Sequence, residues 1–257
     1  MIQVQNVYAK YINNTNILKN CSFTINNKDF VGIIGKNGAG KSTLLKVLCR
    51  ILKPYLGNIC IEYQDIQNLH IKDLARKIAF LPQYVNTNLS FSVFDFILLG
   101  RYPYMNTLKW PSQNDYNIVN QIIDLLHLYK LTNKQINQLS YGETQKVLIG
   151  QVIAQQTDII IFDEPTAHLD IGSQNKILKC IKQLNEKYNK TIILTLHDLN
   201  IASEFCNKLI LLNNGMICKQ GTPLEIFQCG IIEKIYNIQF VIGTNPISNK
   251  PYLVPIN

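Results

Sequence analysis

The first third of the chain carries apolar patterns that predict strands. Phe30-Val31-Gly32-Ile33-Ile34 forms a continuous apolar run, as in a strand that is buried on both faces. Residues 2–11 predict another strand, and residues 21–25 alternate polar and apolar positions. Residues 41–51 then place leucine and valine side chains on one side, which predicts a helix.

The middle of the chain, from about residue 92 to residue 155, shows helical periodicity and no strong strand pattern. Within it, Ser112-x-x-Asp115 matches a capping box at a helix start. Strand and helix patterns then alternate again, with strands predicted at residues 159–162, 191–196 and 208–212 and a helix at residues 173–187. This order predicts an α/β fold with a largely parallel sheet, right-handed crossovers and a helical insert of roughly sixty residues.

Composition narrows the class of protein. The chain has 257 residues, of which 47% are hydrophobic and 16% charged, and its formal net charge is +8. General disorder is excluded by this apolar content, and no apolar run approaches the ~20 residues of a transmembrane helix. The first five residues lack the pattern of a signal peptide. Seven scattered cysteines without a Cys-x-x-Cys pair predict a reducing, cytosolic compartment.

Residues 35–42 match the phosphate-binding pattern G-x-x-x-x-G-K-[ST], with a strand before and a helix after. The glycines let the backbone curl so that its N–H groups face an anion. The N-terminus of the following helix adds partial positive charge. Lys41 is then placed to reach the β- and γ-phosphates, and the Ser42 hydroxyl to ligate Mg²⁺.

A strand that ends in two carboxylates complements the phosphate loop. Residues 159–162 are followed by Asp163 and Glu164, and ligands of parallel sheets bind at this edge. Asp163 is expected to hold the Mg²⁺ shell, and Glu164 to act as the general base that orients the attacking water. An acidic turn after a strand is common in isolation, but its pairing with the phosphate loop favours the functional interpretation.

A second anion site is predicted where Leu139-Ser140-Tyr141-Gly142-Glu143 leads into an apolar helix. Ser140-x-x-Glu143 is itself a capping box, so a purely structural helix start is the alternative. In the functional interpretation, Ser140 and the Gly142 N–H present a second phosphate-binding half at the helix N-terminus.

Together these residues resemble the ATP-binding-cassette (ABC) family of ATPases over nearly the whole chain. Six motifs follow the family's order: residues 35–42, 81–83, 139–143, 159–164, 167–170 and 196–198. The resemblance implies a P-loop NTPase (RecA-like) parallel-sheet core with an N-terminal antiparallel β subdomain, at residues 1–90 and 156–257. It also implies an inserted α-helical subdomain at about residues 91–155.

The resemblance further implies a homodimer in which two subunits associate head-to-tail around two ATP molecules with Mg²⁺. The implied catalytic residues are Glu164, His197 and Gln83, and the implied metal ligands are Ser42, Gln83 and Asp163. The implied nucleotide-binding residues are Tyr11, Gly35, Lys36, Asn37, Gly38, Ala39, Gly40, Lys41, Ser42, Thr43, Ser140, Gly142, Glu143 and Asp170.

Some of these roles come from the resemblance alone. Gln83 is expected to contact Mg²⁺ or the attacking water and to sense a membrane partner, and His197 to contact the γ-phosphate. Tyr11 resembles the aromatic residue that stacks on adenine, with Tyr8 as the alternative and a half-exposed strand residue as the structural interpretation of either.

The chain departs from the family pattern at three positions. Tyr141 replaces a glycine of the signature, Glu143 replaces the commoner glutamine, and Lys146 stands where arginine is frequent. The Tyr141 side chain is expected to face outward or toward the helical subdomain.

Other segments resemble the importers of iron–siderophore complexes, haem and cobalamin. They are residues 100–104, 197–200 and 221–223 and a C-terminal hairpin at residues 245–255. A zinc or manganese importer is the alternative, and residues 100–104 also fit a helix-ending turn with glycine at C′.

The implied function is ATP hydrolysis that drives import, at the cytoplasmic face of the cell membrane. Separate transmembrane permease subunits are the expected partners, docked near Gln83 and residues 100–104, with a substrate-binding protein as an indirect one. A soluble ATPase of this family outside transport and a non-catalytic binding module are the rival classes. No nucleic-acid partner is expected, because the positive charge forms no dense Lys/Arg run and fits phosphate binding beside an anionic membrane.

Overall fold

The computed structural model describes residues 1–11, 16–105 and 110–256. The chain divides into two compact units, Met1–Leu69 with Thr191–Asn257, and His70–Lys190. The elements in chain order are β1 (Ile2–Lys10), β2 (Asn16–Ile25), β3 (Phe30–Ile34), α1 (Lys41–Leu48), β4 (Leu56–Ile61), β5 (Gln64–Asp65), α2 (Ile71–Lys77), β6 (Ile78–Leu81), α3 (Val93–Leu98), α4 (Gln113–Leu126), α5 (Tyr141–Ala154), β7 (Ile159–Phe162), α6 (Ile171–Tyr188), β8 (Thr191–Thr195), α7 (Leu199–Phe205), β9 (Lys208–Asn213), β10 (Met216–Gly221), α8 (Pro223–Phe227), α9 (Ile231–Tyr236), β11 (Phe240–Thr244) and β12 (Pro251–Pro255).

The first unit contains an antiparallel sheet with strand order β2-β1-β4-β5. Ile2, Val4, Val7 and Ala9 of β1 are buried, and the polar positions between them face outward. The expected N-terminal antiparallel sheet is confirmed. The narrower helical subdomain of residues 91–155 stays a prediction, since the second unit spans residues 70–190.

The same unit holds the strands that carry the phosphate loop. β3 pairs in parallel with β8 on one side and with β9 on the other, and β10 pairs antiparallel with β9. All five residues of β3 are buried, which confirms a strand covered on both faces. Because β3 is flanked on both sides, the chain that leaves its C-terminal end starts from a fixed position.

The second unit pairs β6 and β7 in parallel, from Ile78 beside Ile159 to Leu81 beside Phe162. β7 has the predicted bounds, and α6 begins two residues earlier and ends one residue later than predicted. Between β6 and β7 the described residues form α3, α4, α5 and short 3₁₀ helices, as the helical periodicity predicts. Among the residues that the structure describes, none of the helices combines the length and apolar character that crossing a membrane requires.

Both predicted capping boxes are confirmed. Ser112 caps α4 and Ser140 caps α5, each accepting from the backbone N–H three residues on. In turn, the carboxylates of Asp115 and Glu143 accept hydrogen bonds from the backbone N–H groups of Ser112 and Ser140, respectively. These reciprocal bonds satisfy N–H groups that the first helical turn leaves without partners.

The predicted helix at residues 41–51 ends early, at Leu48. Arg50 has a left-handed φ of 57°, and the Ile51 N–H bonds back to the Lys46 carbonyl at 2.8 Å. This is the geometry of a Schellman ending, here without the usual glycine.

The seven cysteines lie within the described residues as free thiols, and burial raises the pKa of Cys180 to about 11.

Gly100 does not end a helix in the left-handed conformation, so the interpretation of residues 100–104 as a C′ turn is wrong. The chain passes directly from α3 into a 3₁₀ helix, Leu99–Tyr104. A Cβ at Gly100 would lie 2.2 Å from the Gln151 carbonyl oxygen of α5. Glycine is needed there because two backbone segments approach closely.

The next residue, Arg101, is a buried cation that contacts four partners. Its Nε lies 2.8 Å from Asp115 Oδ1, and its Nη1 donates to the Ala154 carbonyl at 2.7 Å and to Gln156 Oε1 at 3.0 Å. The guanidinium also lies 4.1 Å from the centroid of the Tyr104 ring. Although burial disfavours the charged carboxylate, hydrogen bonds from Ser112 and Arg101 outweigh it and lower the pKa of Asp115.

We expect Asp115→Ala to destabilise the protein by about 3 kcal/mol or more, because it leaves Arg101 buried without its counter-ion. Asp158→Ala is the matched control, since its side chain is 86% exposed and pairs with Lys190 at the surface; its cost is below about 1 kcal/mol. Urea unfolding followed by circular dichroism measures both. Equal shifts of the two midpoints would contradict the buried-pair interpretation.

Candidate functional site

The phosphate loop, residues 35–42, joins β3 to α1 in the first unit. Gly35, Gly38 and Gly40 have φ angles of 148°, 77° and 103°, which side-chain-bearing residues rarely adopt. At Gly35 an added Cβ would also lie 2.1 Å from the Leu212 carbonyl oxygen. The backbone path therefore requires these glycines, and this path supports the predicted anion cradle.

The cradle opens onto the N-terminus of α1. Gly40 at the N-cap supplies no side-chain hydrogen bond, and the first turn of α1 contains no acidic residue. A bound phosphate would meet the N–H groups and the positive end of the helix dipole without a competing carboxylate on this helix.

Lys41 is only 5% exposed and lies folded across the loop. Its Nζ donates to the carbonyl oxygens of Gly35 at 2.8 Å and of Lys36 at 3.1 Å. A phosphate competes well for this ammonium, because charge-assisted hydrogen bonds are stronger than bonds to neutral carbonyls. Ser42 and Thr43 follow in the first turn of α1, half-buried and buried respectively.

The predicted acidic pair follows β7 in the second unit. Asp163 is buried, and its backbone N–H donates to the Leu81 carbonyl at 2.9 Å, which continues the pairing of β6 with β7. Glu164 has a φ of 51°. Such a left-handed residue with a side chain costs about 1–3 kcal/mol and is concentrated at functional sites, where the surroundings enforce it.

Gln83 is brought into direct contact with this pair. Its Nε2 donates to Glu164 Oε2 at 2.8 Å. The bond fixes the direction of the carboxylate, and it places two of the three predicted catalytic residues within one hydrogen bond of each other. The third, His197, lies in the first unit, exposed, between β8 and α7.

Gln145 is a residue of this region that no sequence motif reveals. It is buried in α5, and its Nε2 donates to the Pro165 carbonyl at 2.8 Å. The bond holds the turn that follows Glu164. A glutamine on the apolar side of a helix is the only sequence signal that could have indicated it, because buried amides need a partner.

The signature residues form the start of α5. The Ser140 hydroxyl donates to Glu143 Oε2 at 2.8 Å, and the Ser140 N–H reaches the same oxygen at 2.9 Å. These bonds, together with the nearby Lys134 and Lys146, lower the pKa of Glu143. A cavity of about 190 Å³ lies beside this helix start, lined by Ser140, Gly142, Glu143, Lys146, Leu169, Ser173, Lys176 and Ile177.

Tyr141, which replaces the signature glycine, is 49% exposed. Its ring meets the His168 ring edge-on, with centroids 6.2 Å apart. Asp170 lies nearby in sequence as the N-cap of α6 and accepts from the Ser173 N–H at 3.0 Å. Hydrogen bonds from Ser173 lower the pKa of Asp170.

The two candidate adenine-stacking tyrosines differ in their surroundings. Tyr11 is 41% exposed, and the Lys46 ammonium lies 5.9 Å from its ring centroid. The Tyr8 ring instead packs against Tyr55, with centroids 6.0 Å apart. Tyr11 therefore has the more available ring face.

Comparison with known proteins agrees with this arrangement. The family model described as "ABC transporter" matches residues 18–167. The petrobactin import ATP-binding protein YclP of Bacillus subtilis (strain 168) is 36% identical over 244 residues, covering 95% of this chain and 96% of that protein. The ferric enterobactin transport ATP-binding protein FepC of Escherichia coli (strain K12) is 34% identical over 249 residues, covering 97% and 90%.

Solved structures lead to the same family. A metal-chelate type ABC transporter in an inward-facing conformation matches with a TM-score of 0.85 and 29% identity, over 100% of this chain and 97% of that chain. The dimeric cassette MJ0796 bound to ADP and Pi matches with a TM-score of 0.75 and 28% identity, over 87% and 99%. From the family match over more than half its length and these near-full-length relatives, the chain belongs to the ABC transporter family and is an ATP-binding cassette ATPase.

Proposed function

We propose that this chain is the ATP-hydrolysing subunit of an importer that carries an iron complex, such as a siderophore or haem, or cobalamin across the cytoplasmic membrane. The observation that carries the proposal is the near-full-length similarity to the petrobactin and ferric enterobactin ATP-binding proteins. The match to a metal-chelate type transporter over the whole chain supports it.

The phosphate loop binds the triphosphate of ATP in this proposal. The strained glycines and the start of α1 direct N–H groups at the phosphates, and Lys41 exchanges its carbonyl partners for phosphate oxygens. The oxygens of Ser42, Asp163 and Gln83 suit Mg²⁺, which prefers oxygen ligands. When bound, Mg²⁺ supplies positive charge beside the transferred phosphoryl group.

Glu164 is the proposed general base. Its carboxylate accepts the proton of the attacking water, and the hydrogen bond from Gln83 orients the carboxylate for this proton transfer. His197 contacts the γ-phosphate. Tyr11 stacks on adenine, which its exposed ring supports.

Two copies of the chain form the working ATPase. Ser140, Gly142, Glu143 and Asp170 of one copy complete the nucleotide site of the other. The cavity beside Ser140, with Lys146 and Lys176 in its lining, supports an anion contact there. The dimeric form of the related cassette supports the pairing.

The proposed permease-docking surface lies on residues 70–105 of the second unit. Tyr102 is 65% exposed, and Lys72 braces it by lying 5.6 Å from its ring and donating to the Met105 carbonyl at 3.2 Å. Arg76 donates to the Pro103 carbonyl at 3.1 Å. This exposed but braced segment belongs to the same unit as Gln83, which we propose to sense the permease.

Lys41→Ala tests the phosphate role. We expect it to weaken Mg-ATP binding at least ~tenfold in calorimetry, because a charge-assisted contact with phosphate is lost. Lys53→Ala removes one equivalent charge from an exposed position of the same unit and is the control. The phosphate role is refuted if both variants bind ATP with the affinity of the wild type.

Glu164→Gln tests the base. The amide keeps an acceptor for Gln83 but takes no proton, so we expect steady-state phosphate release to fall roughly 100-fold or more while ATP still binds. An ATP-bound dimer should accumulate in size-exclusion chromatography. Glu186→Gln, on the exposed side of α6, is the control. Turnover by Glu164→Gln near that of the control would remove Glu164 from this role.

Recovery of partners from membranes tests the transport proposal. A tagged chain, purified from detergent-solubilised membranes of its own cells, should carry a polytopic permease, and those cells should lose ferric-siderophore, haem or cobalamin uptake when they express only Glu164→Gln. We expect Tyr102→Ala to reduce permease recovery with ATP affinity unchanged, and Tyr63→Ala, an exposed tyrosine of the first unit, to leave it intact. Recovery of nucleic acid or a soluble scaffold instead, or loss of zinc uptake alone, would contradict the proposal.

A further inference from the structure

The C-terminal hairpin, β11 with β12, is attached to the helix that directly follows His197. Asn200 of α7 pairs its side-chain amide with both backbone groups of Leu253 in β12. The Asn200 Nδ2 donates to the Leu253 carbonyl at 3.1 Å, and the Leu253 N–H donates to Asn200 Oδ1 at 2.7 Å.

This pairing replaces a missing strand. Leu253 lies opposite Ile242 of β11, and in an antiparallel pair alternate residues direct their backbone groups away from the partner strand. Both backbone groups of Leu253 face Asn200, so the amide satisfies the edge of the hairpin as a third strand would. Leu253 is itself buried.

One face of α7 continues the attachment. The Ser203 hydroxyl donates to the Pro251 carbonyl, and Glu204 Oε2 accepts from the Ser248 hydroxyl at 2.7 Å. Positions 200, 203 and 204 follow the spacing that places helical residues on one face. The hairpin is thus fixed along the length of α7.

The hairpin is also attached to the helix that precedes it. Glu233 of α9 accepts a hydrogen bond at its Oε1 from the Phe240 N–H of β11 at 3.1 Å. The hairpin is therefore bonded to both α7 and α9.

We propose that the C-terminal hairpin, residues 240–255, is a positioning element for the nucleotide site, in which Asn200 anchors the start of α7 and so holds the adjacent His197 in place. The inference rests on the proposed function, because it assigns this contact to ATP turnover. Asn200 is a positioning residue, since it acts through His197.

Asn200→Ala tests this contact through the kinetics of ATP hydrolysis. We expect kcat to fall about three- to tenfold with the KM for ATP unchanged, because His197 is displaced while the phosphate loop stays in place. Asn200→Asp keeps the acceptor for the Leu253 N–H and loses the donor, so its kcat should lie between those of Asn200→Ala and the wild type. A melting temperature that falls while kcat and KM both stay at wild-type values would show a purely structural role and overturn the inference.

The wild type is measured first, so that failure of the positioning role can be distinguished from failure of the proposed function. Wild-type protein that binds and hydrolyses ATP, combined with unchanged kinetics in Asn200→Ala, refutes only the positioning element. Wild-type protein that binds no ATP refutes the proposed function and this inference with it.

Discussion

The close approach of the Leu212 carbonyl to Gly35 is the constraint on which the candidate nucleotide site depends. It leaves no space for a side chain and holds the first residue of the phosphate loop against β9. A second brace lies at the other end of the loop, where the Gly215 N–H donates to the Ala39 carbonyl at 3.0 Å and the Gly215 carbonyl accepts from the Lys19 N–H at 2.8 Å. The loop is therefore held by β9 and by the turn that follows β9, which β2 supports in turn, so its curvature does not depend on a bound anion.

The turn after β7 is held in a comparable way in the second unit. Glu164 adopts a left-handed backbone conformation, which costs free energy for a residue with a side chain. Three hydrogen bonds oppose that cost: Gln83 to the carboxylate, Gln145 to the Pro165 carbonyl, and the Asp163 N–H to Leu81. Each donor comes from a different element or lies on the turn itself, so a change at any of them acts on the direction of the Glu164 side chain. Strain and its compensation are thus gathered around the residue that the motifs single out as the base.

Local sequence was sufficient where local physics decides the structure. The buried run of β3, the bounds of β7 and both capping boxes depend on neighbours within a few residues, and all were predicted. Features that depend on contacts with distant segments of the chain were not predicted. Glycine is required at position 100 because the backbone of Gln151 lies too close for a side chain. Arg101 would be expected at the surface from the sequence alone, but in the fold it is buried against Asp115 and the end of α5. For the site, the motifs named Gln83 and Glu164 separately, but only the fold shows their bond, and no motif indicated Gln145. The roles of the site residues stay predictions.

The reciprocal capping of Ser140 has a consequence for the response of the molecule to its medium. The single hydroxyl proton of Ser140 is already donated to an ionised carboxylate, so a phosphate bound here, as proposed, would have to displace Glu143 or rely on backbone N–H groups. Two lysines in the cavity lining offset the repulsion, but Lys176 is exposed and Lys146 only half-buried, so dissolved ions screen them. Lys41 is enclosed by its own loop and is screened far less. If phosphate binds at both sites as proposed, raising the ionic strength is expected to weaken the contact at Ser140 before it affects the contact at Lys41.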